Sequence, residues 1–118
     1  MNDIDQAWGC ELRHLGGCSG PIEGGHVINR SQLRGVPGAE AYVRKNKEVL
    51  LAHICHAHNT NRTHDEPRWR AYLIGRRIGV FGREYVNEVF EGLRRLSKIA
   101  KPEWRLEALL SHDREEDA

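Results

Sequence analysis

The chain predicts an α+β fold, a small zinc-stabilised core on two β-prone runs with additional C-terminal helices, and three observations carry that prediction. Three cysteines and a histidine stand at metal-ligand spacing in the first half. Short apolar, β-branched runs bounded by Gly and Pro lie between them. From Asp65 onward the apolar residues recur at helical intervals instead.

With 118 residues the chain reads as one domain, residues 8–79 forming the motif-bearing core and 80–118 a helical extension. At 39% apolar it can bury only a modest core, so a second stabilising device is expected in the N-terminal half. No run of eighteen apolar residues exists, and the opening MNDIDQAWGC lacks a basic region followed by an apolar block. A soluble, intracellular protein with no membrane partner is therefore expected. An odd cysteine count in such a chain argues for reduced thiols over a disulfide framework.

Trp8 is placed to cover the first cysteine. Cys10 and Cys18 enclose a seven-residue spacer, ELRHLGG, in which Gly16 and Gly17 permit a sharp turn that aims both sulfurs at one point. Taken alone, the pair could equally be two small buried residues. Residues 21–34, PIEGGHVINRSQLR, read as a β-hairpin carrying His26, with His26-Val27-Ile28 its β-prone run. Residues 30–47 read as a polar loop with a helical turn over 39–44, and residues 48–54, EVLLAHI, as a second strand delivering Cys55. Cys55 and His58 have C-x-x-H spacing, where one short turn sets a thiolate and an imidazole on the same tetrahedral ion. With Cys10 and Cys18 they complete a zinc set of three cysteines and one histidine, His56 being the alternative fourth ligand. Structural zinc in such a site contributes folding free energy on the order of 10 kcal/mol.

Asp65 is placed to cap a helix that opens with Glu66 and Pro67 and runs through Trp69, Tyr72 and Leu73 until Gly75 and Gly79 weaken it. A second helix is predicted over 83–100, striped by Tyr85, Val86, Val89, Phe90, Leu93, Leu96 and Ile99. A third starts at Pro102 and carries Trp104, Leu106, Leu109 and Leu110. The long stripe of the second helix makes a homodimer conceivable.

The net charge of +1 conceals an asymmetry. Residues 62–83 hold six arginines against Asp65 and Glu66, whereas residues 103–118 hold six acids against Arg105 and Arg114. Arginine forks suit phosphate, and this pattern nominates Arg62, Arg68, Arg70, Arg76 and Arg77 for DNA contact; a solvated helix face with i,i+4 pairs is the alternative.

The order of these parts resembles the HNH endonuclease family, the ββα-metal or His-Me finger nucleases. CELRHLGGCSGPIEGGHVINRS is similar to the half in which two cysteines precede a His-bearing strand. CHAHNTNRTHDEPRWRAYLIG is similar to the half in which Asn or His follows the last zinc ligand, and the likeness covers residues 10–79. A narrower resemblance is to phage HNH proteins of the NinG (Rap) type, through GGHVINRS, CHAHN and AYLIGRRIGVFGREYVNEVF.

The resemblance implies a DNA endonuclease in which His26 is the general base. It makes Asn59 a ligand of a catalytic Mg2+ or Mn2+, with His64 a second ligand, and lets Arg30 and Arg62 clamp phosphates. A phage origin would place it in the host cytoplasm. Three departures stand out. Gly25 replaces the Asp or His that many members carry before the base. Leu50 stands where the middle asparagine of the family's name is usual, Asn46 being displaced from it, and His58 replaces a fourth cysteine. The competing function is a zinc-stabilised, non-catalytic DNA-binding or adaptor module, which Gly25 favours. A thiol or redox enzyme lacks a CxxC motif.

Overall fold

The computed structural model describes residues 9–117, with side chains for 9–111. The expected cover of Cys10 by Trp8 lies outside the described residues. Strand β1 (Ile22–His26) pairs antiparallel with β2 (Leu51–Cys55), in a register running from Ile22 opposite Cys55 to His26 opposite Leu51. Among the described residues seven α-helices follow one another: α1 (Arg30–Leu33), α2 (Ala39–Lys45), α3 (Lys47–Leu50), α4 (His56–Thr60), α5 (Pro67–Phe81), α6 (Arg83–Leu96) and α7 (Leu106–Asp117). The fold is thus mixed α and β around one two-stranded sheet.

The hairpin expected within residues 21–34 is not formed, because Asn29 ends the extended segment. Its side-chain oxygen accepts the Ser31 N–H at 2.7 Å and starts α1, a cap that typically stabilises by about 1 kcal/mol. β1 therefore finds its partner some 25 residues later. The second strand also begins later than expected, since residues 47–50 close a helical turn onto Asn46 before the chain extends.

Asp65 does not cap α5; it lies in a 3-10 turn (Thr63–Asp65), and Glu66 takes the cap position without a side-chain bond. Gly75 and Gly79 are spanned by α5, which continues to Phe81 because its other face is anchored by buried Ala71, Leu73, Ile74 and Arg77. α6 stops at Leu96 rather than 100, leaving Ile99 72% exposed, and Tyr85 is also exposed. Of the rest of its stripe, Val86, Val89, Phe90 and Leu93 are buried by this chain itself and Leu96 is partly buried against the core. Pro102 opens a 3-10 turn (Pro102–Trp104) that buries Trp104, and α7 begins after it.

One contiguous core joins Cys10, Leu12, Val27, Ile54 and Cys55 to Leu73, Ile74, Phe90, Leu93, Trp104 and Leu109. Each large side chain so buried contributes on the order of 1.5–3 kcal/mol. A buried ionic knot fastens the N-terminal segment to α5. Arg77 donates to both Glu11 oxygens and to the carbonyls of Leu73, Leu51 and Val49, while Glu11 also accepts from the His53 N–H at 2.7 Å. Arg77 is therefore not available to phosphate, a correction to the basic-helix expectation. Its partner lies 66 residues away, beyond the reach of a periodicity argument. Arg76 is half-exposed and also paired with Glu11. Among the described residues no helix is long and apolar enough to cross a membrane.

Candidate metal centre and the cleft beside it

Cys10, Cys18, Cys55 and His58 are brought together with their ligand atoms all within 4.8 Å of one another. Cys10 comes from the N-terminal segment, Cys18 from the loop before β1, Cys55 from the end of β2 and His58 from α4. His58 Nδ1 lies 3.5, 3.7 and 3.4 Å from the three sulfurs. A tetrahedral zinc with bonds of about 2.3 Å to sulfur and 2.0–2.1 Å to nitrogen sets that edge at about 3.6 Å, so the geometry fits the ion.

The tautomer fits too. His58 Nε2–H donates to the Gly16 carbonyl at 2.9 Å, which turns the Nδ1 lone pair to the thiols and supplies the outer hydrogen bond that metal-bound histidines use. Gly16 and Gly17 both have φ of 77°, the left-handed turn that presents this carbonyl. Three thiols this close cannot all ionise unaided. Burial, then the Cys55 and Cys10 sulfurs, push Cys18 up to about 12. Burial raises Cys55 as well, but N–H groups of His58 and Ser19 and the neighbouring thiols outweigh it and bring that thiol below its ordinary value. Such a group can hold a structural zinc, with Cys10, Cys18, Cys55 and His58 as ligands. His56 is excluded from the set: it is exposed, and its Nδ1–H donates to Glu23 at 2.7 Å.

The same short helix α4 that supplies His58 turns Asn59 to the other side, into a cleft of about 170 Å³. Gly24 and His26 of β1, Asn29, Arg30, Asn59, Arg62, His64 and Asp65 line it. His26, Asn59, His64, Arg30 and Arg62 of the sequence-derived set are thus brought to one place. Arg68 is exposed outside this cleft beside the Trp69 ring, and Arg70 is half-buried with Nε lacking a partner.

Each cleft side chain is held by a specific contact. Asn59 Nδ2 donates to Glu23 Oε1 at 2.7 Å; a carboxylate only accepts, so the amide nitrogen must face it and the amide oxygen is left for the cleft. Asn59 and then His56 hold the Glu23 carboxyl below its ordinary range. Asn29 caps α1 with its oxygen and donates through Nδ2 to Asp65 Oδ2 at 2.8 Å. Burial, then the Arg30 charge, lowers His26, with Glu40 opposing, which favours the neutral imidazole. His64 is 5% exposed, and burial lowers it against the opposing pull of Asp65.

Glu23, Asn29 and Asp65 were missed by sequence reasoning. Their partners lie 33 to 36 residues away, and only the adjacency of Asp65 to His64 was a local signal. Compared with models of known families, with curated proteins and with solved structures, the chain finds no match in any of the three.

Proposed function

We propose that the protein is a divalent-metal-dependent DNA endonuclease of the HNH type, hydrolysing phosphodiester bonds in the cleft beside the zinc site. The observation that supports this reading is the convergence of His26, Asn59 and His64, with Arg30 and Arg62, in one cleft next to a Cys3His group. His26 takes a proton from the attacking water; its lowered pKa keeps it in the base form at neutral pH. Arg30 and Arg62, both exposed at the rim, hold neighbouring phosphates. The Asn59 oxygen and His64 are the groups that would hold Mg2+ or Mn2+. Such an ion would supply Lewis-acid stabilisation of the negative charge that develops during phosphodiester hydrolysis.

Purified protein with Mg2+ or Mn2+ should nick supercoiled plasmid, and His26→Ala should slow nicking by about 10²–10⁴-fold with zinc content and DNA binding unchanged. The wild-type rate should fall as acid protonates His26, on a limb lying below the ordinary histidine value of 6.5. If wild type binds plasmid, linear duplex, flap and four-way junction but cuts none, the zinc-stabilised DNA-binding or adaptor reading replaces this one.

A further inference from the structure

Gly25 looks like a missing metal ligand, yet its surroundings say what has taken the ligand's place. A Cβ built at Gly25 would lie 3.1 Å from His64 Nε2 and equally close to Ile54. The space an acidic side chain would start from is therefore already used by the approach to an imidazole nitrogen. That imidazole is buried, and its Nε2, the nitrogen facing Gly25, has Asp65 Oδ1 at 3.6 Å, outside good hydrogen-bond length.

Asp65 is arranged in the complementary way. Its Oδ2 accepts from Asn29 Nδ2 at 2.8 Å and lies 3.5 Å from Arg62 Nε, which leaves Oδ1 turned to His64. Two ligands each about 2.1 Å from one cation lie about 3.0 Å apart at a right angle and about 3.6 Å apart when the angle opens to about 118°. The observed separation falls in that range. Arg62 has a φ of 58°, the one positive value outside glycine among the described residues, and it caps the 3-10 turn that carries both groups. Strained backbone of this kind is characteristic of residues that position a site.

We propose that His64 Nε2 and Asp65 Oδ1 chelate a divalent cation, Asp65 supplying the carboxylate that position 25 lacks and Gly25 keeping the nitrogen accessible. Asn29 and Arg62 act as positioning residues by holding the other carboxylate oxygen. The imidazole ligand makes the site favour Mn2+ over Mg2+. The catalytic consequence rests on the nuclease reading above, but the cation site does not.

The test uses the zinc-loaded full chain and two readouts, Mn2+ uptake by the loss of the free Mn2+ paramagnetic signal and plasmid nicking. Wild type should bind one Mn2+ beyond its zinc. Asp65→Asn, which keeps an oxygen for Asn29, should weaken Mn2+ binding by about 10–100-fold or more with zinc content and melting unchanged. Gly25→Ala, whose φ is not in the left-handed region, should weaken it too by crowding Nε2. Wild-type protein that takes up no second metal at millimolar Mn2+, with phosphorothioate duplex present or absent, overturns the site, as does Asp65→Asn with wild-type uptake. Asp65-dependent uptake without cleavage of any DNA instead overturns the nuclease reading and leaves the site standing.

Discussion

The zinc group and the cleft share one short helix, α4, and yet they are built on opposite plans. His58 points into a closed, buried set of four nitrogen and sulfur ligands whose mutual distances already match a tetrahedral ion. Asn59, the next residue, faces an open cleft lined by nitrogen and oxygen groups. Closed coordination suits an ion that holds the chain together, and open coordination suits one that meets a reactant. The comparison teaches that adjacent residues of one helix can serve a closed soft-ligand cluster and an open polar cleft, because successive side chains leave a helix in different directions.

The largest separation between the regions should come from removing the closed one. Cys55→Ser, or chelation strong enough to strip zinc, withdraws stabilisation on the order of 10 kcal/mol, comparable with the whole stability of a small domain. The protein should then lose its cooperative melt, while adding or withdrawing Mg2+ should shift that melt only slightly, by the linkage of a weakly held ion. A Cys55→Ser protein that melts like wild type would break the distinction.

The Glu11–Arg77 knot, which ties the segment carrying Cys10 to α5, should come next. Glu11→Gln leaves Arg77 buried against a neutral partner and should cost about 3–5 kcal/mol in denaturant unfolding, toward the lower end because glutamine retains an acceptor. Burial raises the Glu11 carboxyl, but the Arg77 bonds and charge more than offset it and hold it below 4.5. A depressed acid contributes stability that is present above its unfolded value and lost as pH falls through the folded one. Wild type should therefore lose an increment of stability below about pH 4.5 that Glu11→Gln does not show.

The smallest effect should come from the cleft rim. Arg62→Gly relieves a left-handed backbone costing about 1–2 kcal/mol but loosens the unfolded chain by a similar amount, so the melt should move by no more than about 1 kcal/mol equivalent. On the proposed nuclease reading DNA affinity should nevertheless drop, with the slope of log affinity against log salt shallower by about one unit, as expected for one lost phosphate contact. A large loss of stability would mean that Arg62 belongs to the scaffold.

How much of this was legible depended on distance along the chain. The Cys3His group could be read because cysteine is scarce, its count is odd and C-x-x-H is a local spacing. The stripe of α6 could be read for the same reason, since Val86, Val89, Phe90 and Leu93 repeat within one helix. Arg77 could not: it looks like its exposed neighbours until Glu11 is seen beneath it. Asp65 resembled a helix cap until Asn29 and His64 were found on its two oxygens.

Residue chemistry and spacing alone thus decided that the first half carries a metal-ligand set and that the second half is helical, because both are written in intervals of a few residues. Three-dimensional packing decided which arginine is buried and which histidine joins the thiols. It also decided that Gly25 lies against the imidazole of His64, a residue far along the chain. Desolvation and hydrogen-bond partnership belong to neighbours in space, and a linear string does not contain them.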